Sequence, residues 1–131
     1  PPRPDDTPPR LVVSRSRPAA ICYRIADELG GELLPLGSAG AKAMAVVRGE
    51  ADIYAHAGGQ YEWDSCAPVA VAAAAGLHVS RIDGSPLRYN RPDPWLPDLL
   101  ICREEYAQAI VGLVRDQIGT RIADDEAGLW P

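Results

Sequence analysis

A carboxylate at a predicted helix start is the first feature that could do chemistry. The triplet Glu62-Trp63-Asp64 follows the glycine pair Gly58-Gly59 and precedes a run of small apolar residues. This pattern predicts a helix over Ser65–Ala75 with Asp64 as its N-cap. In open α/β sheets such a position borders the ligand crevice, where a carboxylate can bind a hard cation such as Mg²⁺. Capping alone is the simpler interpretation, and the two roles are compatible because a carboxylate has two oxygens.

A turn of small residues ahead of another predicted helix could bind an anion. The segment Gly37-Ser38-Ala39-Gly40-Ala41-Lys42 joins a short apolar strand to an alanine-rich helix. Backbone N–H groups at a helix start, together with the helix dipole, favour a phosphate-like anion, and Lys42 is near enough to reach it. The spacing is not that of a nucleotide-binding P-loop. An ordinary strand-to-helix turn with a solvated lysine is the alternative interpretation.

Hydroxyl, guanidinium and imidazole groups elsewhere give weaker indications. The run Ser14-Arg15-Ser16-Arg17 ends a predicted strand and offers either phosphate donors or merely solvated charge. His56 and His78 lie in or beside predicted strands, where a half-buried structural histidine is common. No Ser-His-Asp or Cys-His arrangement is evident. The residues alone therefore predict one anion site and one cation ligand.

Strands and helices alternate along the chain and have to position these groups. Strands are predicted at Leu11–Ser14, Glu32–Leu36, Ala51–Ala55, Leu77–Val79 and Asp98–Cys102, and helices at Pro18–Leu29, Ala41–Val47, Ser65–Ala75 and Glu104–Ile118. This alternation predicts an α/β layered sandwich with a mixed, mostly parallel sheet flanked by helices. The proline-rich residues 1–10 are predicted to be a linker, residues 11–118 an α/β domain, and residues 119–131 a loose tail.

Composition argues against several classes of function. The net charge of −5 argues against a nucleic acid polymer as partner, because polyanions are bound by clustered Lys and Arg. The widely spaced cysteines Cys22, Cys66 and Cys102 form no CxxC pair and are expected to be free thiols in a reducing compartment. The longest apolar stretch, Ala67–Leu77, contains a proline and is too short to span a bilayer. We therefore expect a cytoplasmic protein without a membrane partner.

Four segments occur in an order that resembles the C-terminal half of the inositol monophosphatase superfamily. They are Gly37–Lys42, Val46–Tyr54, Glu62–Ala67 and Asp83–Asn90. The Glu-Trp-Asp triplet, Lys42 and the Ser14–Ser16 run are most similar to the CysQ-type nucleotidases. These enzymes remove the 3′-phosphate from 3′-phosphoadenosine 5′-phosphate in sulfate assimilation. The resemblance covers residues 11–103 and implies half of a sugar-phosphatase fold in a lithium-sensitive, Mg²⁺-dependent hydrolase.

The resemblance also implies a role for each matching position. Asp64 corresponds to a metal-ligating Asp of the family that borders the substrate. The turn Gly37–Ala39 corresponds to one that contacts the substrate. Lys42 corresponds to a lysine near the substrate phosphate, and Ser14 lies in a segment that approaches the nucleotide. No other catalytic residue is implied within this chain.

Departures from the family pattern leave other interpretations open. Pro68 replaces a usual Gly, Arg17 replaces a frequent His, and His56 replaces a frequent Arg. The exchanges at Arg17 and His56 affect groups that set substrate choice. An inositol or fructose bisphosphate type of sugar phosphatase is therefore the rival enzyme class.

The chain also lacks the family's upstream Glu and its Asp-Pro-x-Asp-Gly-type motif. We therefore expect an N-terminal half, or a second chain carrying it, to complete the site and to cover an apolar face or edge left by this chain. A homodimer is a further possibility. A non-catalytic fragment that binds a phosphorylated ligand is the alternative outside the enzymes.

Overall fold

Five strands and four helices make up the described part of the chain. The computed structural model describes residues 7–15, 20–87 and 95–126. Within these ranges it describes the side chains of all residues except 57–66, 95–97 and 117–126. The strands are β1 (Arg10–Ser14), β2 (Glu32–Leu36), β3 (Ile53–Tyr61), β4 (His78–Ser80) and β5 (Trp95–Cys102). The helices are α1 (Ala20–Leu29), α2 (Ala39–Val47), α3 (Glu62–Ala74) and α4 (Glu104–Glu126).

The five strands form one sheet in the order β2-β1-β3-β5-β4. Strand β1 runs parallel to β2 and β3, whereas β5 runs antiparallel to β3 and β4. The predicted α/β fold with a mixed sheet flanked by helices is confirmed. The sheet is not mostly parallel as predicted, because two of the four strand pairs among the described strands are antiparallel. Pro35 lies in β2, which is an edge strand, so its missing N–H removes no ladder bond from the sheet interior.

Helices cover both faces of the sheet. One buried cluster joins α1 and α4 to one face, and a second joins α2 and α3 to the other. Strand β5 lies between β3 and β4, and its residues Leu99–Cys102 are all buried, contributing alternately to the two clusters. Burial on both faces explains why this strand is a continuous apolar run without alternating polar residues.

A buried carboxylate fixes the start of β1 against β3. The Asp52 carboxylate accepts hydrogen bonds from the Arg10 backbone N–H at 2.8 Å and from its Nε at 3.4 Å. The Arg10 guanidinium also donates to the Gly49 carbonyl at 2.7 Å. These bonds hold the register in which Leu11 and Val12 of β1 pair with Ile53 and Tyr54 of β3.

Strand β3 extends further than predicted and corrects the assignment of Asp64. The strand continues past its predicted end at Ala55 and through Gly58-Gly59, because an irregular register in the β3–β5 pairing between Ala57 and Gln60 accommodates the glycine pair. Helix α3 follows directly from Glu62. The predicted N-cap at Asp64 is therefore wrong, and this residue lies in the first turn of the helix.

The early start of α3 also changes the position of Pro68. The sequence predicts Pro68 in the first helical turn, but in a helix that begins at Glu62 it lies in the second turn. A proline there has no N–H to donate to the carbonyl four residues earlier, which is that of Asp64. The Asp64 carbonyl therefore cannot take the hydrogen bond that residue 68 normally supplies.

Element ends differ from prediction elsewhere as well. Strand β5 begins at Trp95, ahead of its predicted start at Asp98, where it pairs with the extended β3. Helix α4 continues to Glu126, past its predicted end at Ile118. One glycine, Gly119, costs a helix only about 1 kcal/mol, which the helix-favouring residues that follow can offset. Residues 1–6 of the predicted linker and 127–131 of the predicted tail lie outside the described residues.

Two of the three cysteines are buried free thiols, as predicted. Cys22 and Cys102 form no disulfide, and the Cys66 side chain lies outside the described residues. Burial raises the pKa of the Cys102 thiol to about 12, with a smaller contribution from the neighbouring Glu104 and Glu105 carboxylates. Cys102 is therefore a neutral packing residue near pH 7. In the described part of the chain, no helix combines the length and apolar character needed to cross a membrane.

Candidate functional site

The strand order creates a crevice at one edge of the sheet. The chain passes from β1 through α1 to β2 on one face, and from β2 through α2 to β3 on the other. The connections therefore diverge between β1 and β3, and the carboxyl ends of all three parallel strands reach the same edge. Ligands of open α/β sheets bind at such a switch point.

Ser14 and the Gly37 turn meet at this edge. Ser14 ends β1 and pairs in register with Leu36, the last residue of β2. The chain then enters the turn at Gly37 and begins α2 at Ala39. The structure therefore brings together two of the predicted substrate-binding segments, which are separated by more than twenty residues in sequence.

The turn presents backbone N–H groups at the start of α2. Ser38 is the N-cap, and its Oγ accepts a hydrogen bond from the Ala41 N–H at 3.1 Å. Its carbonyl accepts the Lys42 N–H at 3.1 Å. The N–H groups of Ser38, Ala39 and Gly40 donate to no other described residue. These amides and the dipole of α2 together suit an oxyanion.

Lys42 lies beneath this turn and is not solvated. It is the only lysine among the chain's 13 Lys and Arg residues, and it is 6% exposed. Its Nζ donates to the Gly37 carbonyl oxygen at 2.9 Å and lies 5.7 Å from the centroid of the Tyr54 ring. Burial lowers the pKa of the Lys42 ammonium, and the Cys22 thiolate would act in the opposite direction.

Tyr54 is a residue of this site that sequence reasoning missed. It is 1% exposed on β3 and forms an edge-to-face ring pair with His56, with centroids 6.3 Å apart. Residues two apart on a strand share a face, so Tyr54 and His56 both lie on the α2–α3 side of the sheet. The period-two pattern of β3 was the available signal, but it could not show that Lys42 lies over the ring.

Asp64 enters the site only through its backbone position. Helix α3 begins directly after β3, which runs in the same direction as β1 and β2 but extends past the position level with Ser14. The Asp64 side chain lies outside the described residues, as do Ser16 and Arg17. Among the described side chains, no group of three His, Cys, Asp or Glu residues is placed to hold a metal ion. A Mg²⁺ site that includes Asp64 therefore requires further oxygen ligands from beyond the described side chains.

His78 lies away from this edge, on the outer strand β4. Its Nε2 is 2.8 Å from Ser80 Oγ, and Ser80 donates to the Arg81 carbonyl at 2.6 Å. Because the Ser80 proton is used in that bond, His78 Nε2 is the donor to Ser80. His78 borders an open cleft of about 420 Å³ against α4, on the α1–α4 face of the sheet. It therefore takes no part in the crevice at the α2 start.

Known proteins are similar to this chain in both sequence and fold. Residues 11–118 match the Inositol monophosphatase family. A 3′-phosphoadenosine 5′-phosphate phosphatase of Mycobacterium tuberculosis is 57% identical over 107 residues, which are 82% of this chain and 40% of that protein. The 3′(2′),5′-bisphosphate nucleotidase CysQ of Escherichia coli is 36% identical over 92 residues, 70% of this chain and 37% of that protein.

A solved structure of CysQ from Bacteroides thetaiotaomicron, a bacterial member of the inositol monophosphatase family, superposes with a TM-score of 0.66 at 31% identity. The match covers 78% of this chain and 40% of that one. The chain thus spans about 40% of the length of these relatives. The family match extends over most of the chain, and the described fold agrees with it. This chain belongs to the inositol monophosphatase family.

Proposed function

We propose that this chain is the substrate-binding part of a Mg²⁺-dependent phosphatase that removes the 3′-phosphate of 3′-phosphoadenosine 5′-phosphate. The complete enzyme would join it to the additional length that the relatives have. The observation that carries the proposal is the cluster of available N–H groups at Ser38–Gly40, next to Ser14 at the switch point of the sheet. Relatives named as phosphatases or nucleotidases of this substrate class support it.

The turn and its neighbours would bind and orient a phosphate of the substrate. The N–H groups of Ser38, Ala39 and Gly40 would donate to phosphate oxygens, and the dipole of α2 would favour their negative charge. Ser38 Oγ already accepts from Ala41, so its own proton remains available for the ligand. Ser14 would add a hydroxyl from the neighbouring strand. Holding the ester in one orientation is the main contribution of these groups.

Asp64 would supply one carboxylate ligand to the metal. A carboxylate oxygen in the first turn of α3 is a suitable ligand for a hard cation, and further ligands would come from the rest of the complete enzyme. Mg²⁺, when bound, polarises a phosphoryl oxygen and activates water for hydrolysis. A cytoplasmic place in sulfate assimilation and sensitivity to lithium belong to the same proposal.

The test measures turnover of the complete enzyme against Mg²⁺ concentration for wild type and Asp64→Asn. Asp64→Asn should lower turnover by more than the roughly 10–100-fold that loss of an outer partner of a metal ligand costs. Asp27→Asn is the matched control, because Asp27 is exposed on α1, on the opposite face. Full activity of Asp64→Asn with an unchanged Mg²⁺ requirement would remove Asp64 from the metal site.

Substrate class is tested with the same enzyme and three phosphate esters. We expect the highest kcat/KM for 3′-phosphoadenosine 5′-phosphate, followed by inositol monophosphate and fructose 1,6-bisphosphate. A higher kcat/KM for inositol monophosphate or fructose 1,6-bisphosphate would instead support a sugar phosphatase. Hydrolysis of none of the three at saturating Mg²⁺ would favour a non-catalytic phosphate-binding protein.

A further inference from the structure

The buried ammonium of Lys42 has an unusual set of neighbours. Its Nζ contacts the Gly37 carbonyl oxygen and faces the Tyr54 ring, and no described carboxylate forms an ion pair with it. Burying a charge without a counter-charge is costly. The other twelve basic residues of the chain are arginines. The single lysine of the chain is therefore expected to have a specific role at this buried position.

The bond to Gly37 fixes the direction of the next N–H group. The peptide between Gly37 and Ser38 is trans, and the C=O and N–H of a planar trans peptide point in opposite directions. Lys42 lies on the buried side of the turn and holds the Gly37 carbonyl toward the interior. The Ser38 N–H must then point outward, and Gly37 and Ser38 are both exposed.

Lys42 donates two hydrogen bonds to the same turn. Its backbone N–H donates to the Ser38 carbonyl at 3.1 Å, while its side chain donates to the Gly37 carbonyl at 2.9 Å. Two consecutive carbonyls are thereby bonded to one residue of α2. Their bonding leaves the N–H groups, and not the oxygens, on the outer surface of the turn, which is the arrangement an anion requires.

We infer that Lys42 is a positioning residue that orients the Gly37–Ser38 peptide so that the Ser38 N–H faces the substrate phosphate. Lys42 acts on the phosphate through the turn, whereas a lysine in direct contact with the phosphate would act by its own charge. The inference rests on the proposed function for the identity of the anion. The orientation of the peptide is a property of the ligand-free protein and can be measured without any substrate.

The test compares wild type, Lys42→Met and Lys42→Arg in the complete enzyme, with inorganic phosphate as the ligand. In Lys42→Met the stem remains but the donor is lost, so the backbone amide resonances of Ser38 and Ala39 should shift in the phosphate-free protein. Phosphate affinity should fall about tenfold, as expected when one N–H donor to an anion is misplaced. Lys42→Arg should not restore it, because a planar guanidinium on a different stem presents its donors in another geometry than the compact ammonium does.

A lysine that contacts phosphate directly gives the opposite pattern. Lys42→Arg would restore phosphate affinity because guanidinium binds phosphate well. Restored affinity, or a Ser38 amide that stays unchanged in phosphate-free Lys42→Met, would overturn the positioning role. Wild-type enzyme that binds no phosphate would overturn the proposed function instead, and the phosphate-free amide shifts would still report on the peptide orientation.

A measurement on wild type covers the case in which Lys42→Met does not fold. Selective ¹⁵N labelling of lysine gives an Nζ resonance for Lys42, assigned by its absence from Lys42→Arg. The positioning role predicts that saturating phosphate leaves this resonance nearly unchanged while it moves the Ser38 and Ala39 amides. A large shift of the Nζ resonance with stationary amides would contradict it.

Discussion

Ser38 combines two tasks in one side chain. Its Oγ accepts the Ala41 N–H and so caps α2, while its hydroxyl proton and backbone N–H remain for a ligand. Capping and ligand binding make different demands on the residue. Glycine at an N-cap costs only a few tenths of a kcal/mol, whereas alanine costs about 1 kcal/mol. The two substitutions remove the same hydroxyl and therefore separate the tasks.

We predict that Ser38→Ala lowers the free energy of unfolding by about 1 kcal/mol and that Ser38→Gly lowers it by only a few tenths. Both should raise KM for the phosphate ester to a similar extent, because both lack the hydroxyl. Chemical denaturation and steady-state kinetics of the complete enzyme check this. Equal KM values for all three proteins would show that the hydroxyl only caps the helix.

Lys42 links stability to pH with a definite sign. Burial lowers its pKa below the usual value of 10.5. Between the lowered pKa and 10.5, the folded protein binds fewer protons at this residue than the unfolded chain does. The cost of burying the charged form is fully present below the lowered pKa, and this contribution to stability improves as the pH rises through the window.

We predict that the stability of wild type relative to Lys42→Met increases as the pH rises toward 10.5. Loss of the bond to Gly37 adds a difference that does not change with pH, so the slope is the quantity that tests the burial of charge. Urea midpoints of both proteins at several pH values above neutrality give this slope. A difference that stays constant over the whole range would mean that Lys42 is solvated.

At the scale of the elements, the turn before β5 packs closely against helix α4 at Gly84. Gly84 has φ +90°, and a Cβ placed there would lie 2.9 Å from Val111 Cγ1 on α4. The Arg115 guanidinium also donates to the Asp83 carbonyl at 3.1 Å and joins the same two elements. By contrast, a Cβ at Gly112, within α4, would have no neighbour within 4 Å.

We predict opposite effects for the same substitution at these two glycines. Gly84→Ala should lower the free energy of unfolding by about 2 kcal/mol or more, through the left-handed backbone and the clash with Val111. Gly112→Ala should raise it by roughly 0.5–1 kcal/mol, because alanine favours the helix and finds open space. Thermal unfolding of both variants, compared with wild type, measures these two changes in stability. Equal shifts would show that the turn and α4 are not packed as described.

The two helical layers of the molecule differ in their outward surfaces. Exposed residues of α1 and α4 include many charges: Arg24, Asp27, Glu28, Glu104, Glu105, Arg115 and Asp116. The exposed described residues of α3 are all apolar: Ala67, Ala70, Val71, Ala73 and Ala74. A charge-free helix face is typical of one that packs against another part of a protein. The face lies on the same side of the sheet as Lys42 and the crevice.

We predict that the rest of the complete enzyme covers the α3 face and leaves the α1 face in solvent. Val71 is 43% exposed on α3 and Tyr23 is 53% exposed on α1. Val71→Lys should therefore lower the melting temperature of the complete enzyme clearly, since it would bury a charge, whereas Tyr23→Lys should change it little. Equal tolerance of the two substitutions would place the covered surface elsewhere.

Local patterns were enough to predict the α/β class, most element positions and the family. Strand alternation, helical periodicity and turn residues act over a few positions, so the runs at β1, β2 and α2 could be found without tertiary contacts. The motif at Gly37–Lys42 was equally visible, since its members are contiguous. The Asp64 N-cap was misassigned because the glycine pair at 58–59 has turn composition but lies inside β3, where the residues on either side, Ala57 and Gln60, pair with β5 across about forty residues of sequence.

The roles of side chains within the crevice depend on contacts between elements that are distant in sequence. A solvated lysine and a buried one have the same spacing on a helix, and only the packing of α2 against β3 brings Lys42 over Tyr54. The strand order places Ser14 beside the Gly37 turn, because β1 pairs with β2 and β3 at once. Burial and strand order are properties of the assembled chain, so a linear pattern carries the residue types of this site but not the direction in which Lys42 donates.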